Sequence, residues 1–222
     1  MFVILGMPRE PGRLMRDLLP LPPSPQGLVV LTGPDACLTV GLLLALQGAI
    51  AARPLLVIDG ANAFDPYLIS DLARRLGLAP QTLLRQIRIS RVFTCYQLEA
   101  LLEERLPRVR ERLDPYGLFL SGPLEPLLDE EIQREEAVRV FRQILAALDR
   151  VLEWPWTVIA ASPDATPPPP GREHFLPQLK RRARRIFRVT VEEEGWRISA
   201  EAGDAAWLWQ PAVGALVARR WG

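Results

Sequence analysis

Residues 27–59 read GLVVLTGPDACLTVGLLLALQGAIAARPLLVID, and their pattern indicates the fold class. Gly27–Thr32 and Leu55–Asp59 are continuous apolar runs, which are typical of strands that are buried on both faces. Gly33–Ala36 (GPDA) predicts a turn, and the Leu- and Ala-rich run Leu38–Ala52 predicts a buried helix that ends before a proline. A strand, a turn, a helix and a second strand in this order indicate a βαβ crossover with parallel strands.

The alternation of helices and strands continues to residue 200. Helical spacing of apolar residues predicts helices, and short apolar or alternating runs predict strands. In chain order we expect helices over Asp65–Leu76 and Pro80–Gln86, a strand over Ile87–Phe93, a helix over Gln97–Arg112, a strand over Tyr116–Leu120, a helix over Glu130–Trp154, a strand over Thr157–Ala161, a loop over Thr166–Arg172, and a hairpin of Arg185–Val191 and Trp196–Ala200.

These elements predict one α/β domain over residues 1–222, with a mostly parallel sheet flanked by helices and a C-terminal antiparallel hairpin. Residues 1–26 form its N-terminal lead-in, residues 27–200 its core and residues 201–222 a Trp-rich C-terminal tail. Trp207, Trp209 and Trp221 in that tail have two interpretations. They pack onto the protein's own core, or they bind a partner, since tryptophan is enriched in binding hot spots.

Composition excludes several classes of protein. The formal net charge of +1 gives no overall attraction to nucleic acid or to a membrane, so such a partner needs a local patch. Two distant cysteines and one histidine provide neither a disulfide framework nor a zinc site, and we expect no metal. Neither a signal peptide nor an apolar run of roughly 20 residues is present, which favours the cytoplasm and no membrane contact.

The stretch Leu56–Gln97 reads LVIDGANAFDPYLISDLARRLGLAPQTLLRQIRISRVFTCYQ. Its strand, D-x-x-x-x-F-x-P turn, helix and following segment resemble the RecA/RadA recombinase family. The match is carried by Asp59, Phe64, Pro66, Gly77, Leu78, Arg91, Phe93 and Gln97. The likeness runs from about residue 13 to residue 200, and it implies a three-layer RecA-like fold of the P-loop NTPase type.

The phosphate loop of this family, G-x-x-x-x-G-K-[ST], is replaced by GPDACLTV. Gly33 is kept, whereas Leu38 stands at the second glycine, Thr39 at the lysine and Val40 at the hydroxyl position. A shift of one residue would place Thr39 at the hydroxyl position and Leu38 at the lysine. Either way the lysine that reaches the β- and γ-phosphates is missing, because the only lysine of the chain is Lys180.

The carboxylates that the resemblance implies are missing as well. The catalytic glutamate that should follow Asp59 by two residues is Ala61, and the Mg²⁺-organising aspartate that should end the next strand is Ser121. Asp59 itself ends a strand, where it is either a ligand group or the cap of the next turn. We therefore expect no catalytic residue and no cofactor. Weak ATP binding at the helix after Gly33 and a divergent ATPase stay open as alternatives.

Residues 172–188 hold seven basic residues and one acidic residue, Glu173. In the resembled family a loop in this region contacts DNA, so we predict salt-sensitive binding of single-stranded DNA by Lys180, Arg181, Arg182, Arg184, Arg185 and Arg188. Two alternatives are an acidic protein partner and a plain charged strand edge. A separate acidic stretch, from Glu125 to Glu136, is expected to be the solvated start of a helix rather than a metal site.

The leading hypothesis is a non-catalytic RecA-like accessory protein of DNA repair or recombination. It would bind DNA, or pair with an active recombinase or another protein through a sheet edge or the tail; a second copy of the chain is a further candidate partner. The first alternative is a protein-interaction module without DNA binding, such as a cell-division inhibitor or a translesion-polymerase accessory. The second alternative is the divergent ATPase.

Overall fold

The structure is a computed structural model that describes residues 26–49, 53–164, 167–203, 205–210 and 215–217. Over these residues the strands are β1 (Gly27–Gly33), β2 (Leu55–Asp59), β3 (Ile87–Arg91), β4 (Gly117–Ser121), β5 (Thr157–Pro163), β6 (Ala183–Glu192), β7 (Gly195–Ala200), β8 (Ala206–Gln210) and β9 (Ala215–Val217). The α-helices are α1 (Ala36–Ala49), α2 (Pro66–Arg75), α3 (Pro80–Leu84), α4 (Cys95–Ala100), α5 (Leu106–Leu113), α6 (Arg134–Leu152) and α7 (Phe175–Lys180).

The strands form one sheet in the order β3-β2-β4-β5-β1-β6-β7-β8-β9. Neighbouring strands from β3 to β6 are parallel, and those from β6 to β9 are antiparallel. β1, β2 and β4 are buried along their whole length, as expected for parallel strands covered on both faces. The predicted fold class, a mostly parallel sheet flanked by helices with a C-terminal antiparallel hairpin, is confirmed.

Helices cover the two faces of the sheet in separate layers. On one face α1, α2 and α3 pack with Leu31 and its neighbours in one core cluster. On the other face α4, α5, α6 and α7 pack with Val30 in a second cluster, where the Phe141 and Phe175 rings stack 4.1 Å apart. Side chains of adjacent β1 residues thus pack into the cores on opposite faces of the sheet. Burial of each Leu, Val or Phe side chain stabilises the fold by roughly 1.5–3 kcal/mol.

The boundaries differ from the predicted ones where prolines and short helices intervene. The helix predicted over Gln97–Arg112 starts at Cys95, and Leu101–Arg105 forms a π-helical turn between α4 and α5. Pro107 follows that turn; it has no N–H for the bond to the carbonyl four residues earlier, which favours a local change of helix type. The six-residue helix α7 was not predicted, since Pro177 interrupts its pattern.

The sheet extends beyond residue 200, into the predicted tail. β8 pairs with β7, and the Trp207 ring lies 5.9 Å from that of Phe187 in an edge-to-face contact. Trp207 is partly buried against the core, in agreement with the first interpretation of the tail. Trp209 enters the description only through its backbone, opposite Trp196, and Trp221 lies outside the described residues.

Gly33, the last residue of β1, adopts φ 137°, a conformation that side chains disfavour. A Cβ atom at this position would collide with the carbonyl oxygen of Val189 in β6. Gly33 is therefore required for the close approach of β1 and β6.

We predict that Gly33→Ala lowers the free energy of unfolding by about 3 kcal/mol or more, because both the backbone conformation and the collision oppose the methyl group. The matched control is Gly77→Ala, since Gly77 has φ 69° and open space around it, and it should cost about 1 kcal/mol. Urea denaturation measures both values. Equal losses in the two variants would show that the approach of β6 imposes no such demand.

Candidate functional site at the carboxyl ends of the parallel strands

The loops that follow β1, β2, β4 and β5 meet at the carboxyl ends of these strands and surround a cavity. Its volume is about 320 Å³, and it is lined by Asp35, Leu38, Thr39, Ala61, Ala63, Glu125 and Pro163. The carboxyl ends of parallel strands are where α/β proteins commonly bind ligands. Of the seven positions that the sequence assigned to a degenerate nucleotide site, Leu38, Thr39 and Ala61 line this cavity.

The connection between β1 and α1 is too short to be a phosphate loop. β1 ends at Gly33 and α1 begins at Ala36, so two residues separate them. The N–H of Cys37 donates to the Pro34 carbonyl (2.8 Å) and that of Leu38 to the Asp35 carbonyl (3.0 Å). These N–H groups close a helical turn within the chain, so they are not available to cradle a phosphate.

The three residues that replace the phosphate-binding motif lie inside α1. Leu38 is 8% exposed and Val40 is fully buried, so both belong to the core. Thr39 faces the cavity. The helix begins two residues before its predicted start at Leu38, because Pro34 and Asp35 form the whole turn.

The cavity is electrically negative. Asp35 and Glu125 line it, and no basic side chain is among its lining residues. Burial, followed by the charge of Asp35, raises the pKa of Glu125. Burial also raises the pKa of the Cys37 thiol to about 12, with further contributions from Asp164, Asp35 and Glu125. A polyphosphate would meet carboxylates here instead of the cations that it needs.

Asp59 is committed to the turn that follows β2. Its buried carboxylate accepts hydrogen bonds from the N–H groups of Ala63 (3.1 Å) and Phe64 (3.0 Å). The guanidinium of Arg91 lies 3.8 Å away. Between the two roles expected for Asp59, these bonds support the turn cap, which also holds Asn62 at φ 52°.

Backbone fills the space beside Ala61 and Ser121. The carbonyl of Ser121 accepts from the N–H groups of Gly60 (2.7 Å) and Ala61 (3.1 Å), and Ser121 is buried. A Cβ atom on Gly122 would lie 2.6 Å from that of Ala61. The ends of β2 and β4 are thus packed against each other where the resembled family has its glutamate and aspartate. The described residues contain no group of three or more side chains suited to hold a metal ion.

Half of the predicted nucleic-acid-binding residues form ion pairs within the chain. Lys180 pairs with Glu201, Arg182 pairs with Asp149, and Arg188 binds both oxygens of Asp164. Asp164 also raises the pKa of Arg188 through that hydrogen-bonded contact. Arg181, Arg184 and Arg185 are exposed, and none of them pairs with an acidic side chain in the described part of the chain.

The six basic residues do not all lie at the carboxyl end of the sheet, where the cavity is. β6 runs parallel to β1, with Ala183 opposite Leu28 at the amino end and Arg188 opposite Thr32 near the carboxyl end. α7 and the start of β6 therefore place Arg181, Arg184 and Arg185 at the amino end of the sheet. Only Arg188 lies towards the cavity. The cluster that is continuous in sequence is divided in space.

Arg172, the first basic residue of the same stretch, is buried rather than part of a surface. It is 4% exposed, and its guanidinium donates to the carbonyl oxygens of Leu127 (2.8 Å), Asp129 (2.6 Å) and Ile132 (2.5 Å). It therefore fixes the segment between β4 and α6.

Glu125 and Asp35 give the cavity its charge, and sequence reasoning missed them as site residues. Each follows the end of a parallel strand, and this position is the signal that could have identified them. Glu125 belongs to a 3₁₀ turn and is half-buried, so the expected solvated helix start applies instead to Glu135 and Glu136 in the first turn of α6.

Neither a scan of protein-family models nor a search of curated proteins finds a match to this chain.

We predict that Glu125→Gln raises the free energy of unfolding at pH 7. A carboxyl whose pKa is raised by folding stabilises the fold below its unfolded-state value, about 4.3, and this contribution is lost as the pH rises through the folded-state pKa. Replacement by glutamine should therefore help at pH 7 and less at pH 4 in urea denaturation. Glu130→Gln, at an exposed position, is the control. A gain that is equal at both pH values would contradict the electrostatic cause.

Proposed function

We propose that this protein is a non-catalytic, RecA-like accessory protein of DNA repair or recombination that acts in the cytoplasm by binding. The observation that carries the proposal is the cavity at the nucleotide position, which has two carboxylates, no basic lining residue and a two-residue turn in place of a phosphate loop. The repair context rests on the resemblance of Leu56–Gln97 to the recombinase family.

The environments of the two cysteines and the histidine also support a protein that binds rather than one that catalyses. Cys37 and Cys95 are buried, and burial raises the pKa of both thiols, which keeps them protonated at neutral pH. The only histidine, His174, makes edge-to-face contacts with Phe141 and Phe175. None of the described helices combines the length and apolar character that crossing a membrane requires.

We predict that Mg-ATP does not bind with a Kd below about 1 mM in isothermal titration calorimetry, because carboxylates repel the phosphates. Thr39→Lys should leave this result unchanged, since one cation in α1 does not rebuild the loop. The double variant Asp35→Asn with Glu125→Gln removes both carboxylates, and it tests whether charge repulsion is the main obstacle to ATP binding. Micromolar binding by the parent chain would overturn the non-catalytic proposal and favour the divergent ATPase.

DNA binding is the first mode of action to test. Arg181, Arg184 and Arg185 favour it, because they are exposed at the amino end of the sheet and free of ion pairs to described residues. Such arginines can neutralise phosphates and release counterions without reading sequence. Lys180, Arg182 and Arg188 are secondary contributors, because each must first leave an acidic partner.

We predict that replacing Arg181, Arg184 and Arg185 by Ala weakens binding of a single-stranded oligonucleotide at least about tenfold at low salt. The slope of log K against log salt should fall by about 2, since each phosphate contact on a single strand contributes roughly 0.7. Fluorescence polarisation measures both. Arg182→Ala with Arg188→Ala is the control and should weaken binding less, because these residues are already paired.

An absence of DNA binding by the parent chain, or an equal loss in the two variants, would remove the DNA mode. The protein-interaction module, as in a cell-division inhibitor or a translesion-polymerase accessory, would then be the function to pursue. Capture of partners from the native cytoplasm, with and without nuclease, separates a protein partner from one that nucleic acid tethers. An active recombinase and a second copy of the chain are the partners to identify first.

A further inference from the structure

β3 forms one of the two lateral edges of the sheet. Among the described residues it has a neighbour only on its β2 side. Two bonds show which backbone groups face β2: the Gln86 carbonyl accepts from Leu55 N–H (2.8 Å), and Val92 N–H donates to the Asp59 carbonyl (3.1 Å). Because successive residues of a strand direct these groups to opposite sides, Ile89 and Arg91 direct theirs away from the sheet.

The two ends of this open edge are closed by side chains. The Gln97 side-chain oxygen accepts from the N–H of Phe93 at a distance of 2.8 Å. The Arg88 guanidinium donates to the carbonyl of Ile87 at 3.2 Å. The outward N–H and C=O groups of Ile89 and Arg91 remain between these caps. These free backbone groups of Ile89 and Arg91, called the window below, are positioned to form hydrogen bonds with an added strand.

Apolar side chains flank this window. Five large apolar residues are exposed in the described part of the chain, and three of them belong to β3 or to the segment that follows it. Ile89 (41% exposed) lies in β3, and Phe93 (68%) and Tyr96 (45%) follow it. Charged side chains such as arginine are sufficient to prevent unwanted pairing at an edge strand. Exposed aromatic rings are not needed for that purpose, so they indicate a surface that a partner covers.

β3 and the residues that lead into it carry charge of one sign, whereas Tyr96, beyond the strand, donates to Glu136. Between Leu72 and Leu98 the chain has five arginines and no acidic residue, although its overall charge is only +1. Arg85, Arg88 and Arg91 belong to β3 or its lead-in, and all three are exposed. Arg91 forms a long ion pair with the buried Asp59 at 3.8 Å, and its side chain is still 48% exposed. Electrostatic complementarity requires carboxylates on whatever covers this edge.

We infer that the β3 edge binds a short, extended, acidic segment of a partner protein, which adds to the sheet as a further strand. The backbone of that segment bonds to Ile89 and Arg91, its carboxylates face the three arginines, and its apolar residues contact Ile89 and Phe93. This assignment rests on the proposed function only in taking the protein to act by binding. It does not involve Arg181, Arg184 and Arg185. These residues lie in or beside β6, which is five strands from β3, about 24 Å at roughly 4.8 Å per strand.

The test uses the full chain and two labelled eight-residue peptides, one of alternating Glu and Val and one of alternating Lys and Val. Fluorescence anisotropy should show the Glu/Val peptide binding at least tenfold more tightly. Replacing Arg85, Arg88 and Arg91 by Ala should weaken that binding at least tenfold. The triple Ala variant of Arg181, Arg184 and Arg185 carries the same change of net charge and should leave peptide binding unchanged.

Ile89→Pro separates strand addition from simple charge attraction. It removes an N–H that faces away from β2, at an edge where proline is tolerated, and it should abolish peptide binding while circular dichroism stays unchanged. If this variant does not fold, Ile89→Lys with Phe93→Ser replaces it and should weaken binding at least tenfold.

Absence of Glu/Val binding by the parent chain, equal binding of the two peptides, or equal losses in the two triple variants would overturn the inference. Self-association in sedimentation that is lost in Ile89→Pro would also overturn it, by assigning the edge to a second copy. None of these outcomes bears on the nucleotide and DNA experiments, which depend on other residues.

Discussion

β1 is completely buried between β5 and β6, and its packing shapes both the centre of the sheet and the turn that follows. Gly33 ends this strand against the carbonyl of Val189, and the Gly33 carbonyl accepts from the N–H of Asp164 at 2.8 Å. With both neighbours so close, the chain turns at Pro34 and enters α1 at once. The short turn removes the loop that a phosphate needs, so the same packing that stabilises the sheet also shapes its functional edge.

Charge is distributed unevenly over this scaffold. Asp35 and Glu125 make the cavity at the carboxyl ends of the parallel strands negative, whereas exposed arginines lie at the amino end and along β3. A net charge of +1 hides this separation. The local charge therefore opposes anions at the usual ligand position of an α/β sheet and attracts them at the two arginine-bearing surfaces.

The two lateral edges of the sheet differ in the strands that lead to them. Beyond β6 the antiparallel strands extend the sheet and carry Trp207 against the core. At the β3 edge, side chains cap both ends of the strand, and its middle has no neighbour among the described residues. An unpaired strand of this kind is a template for pairing with another chain.

Local patterns in the sequence were enough to predict the layers of the fold. Apolar runs such as Gly27–Thr32 and helical spacing over Glu130–Trp154 specify buried strands and amphipathic helices, because burial depends on local periodicity. The sequence also showed that the region of the phosphate loop has no lysine. The three-dimensional arrangement was needed to learn that Arg188 and Arg185 lie towards opposite ends of the sheet, that Arg172 is buried, and that Glu125 faces a cavity. These facts depend on which distant strands become neighbours, and residue type and spacing do not record that.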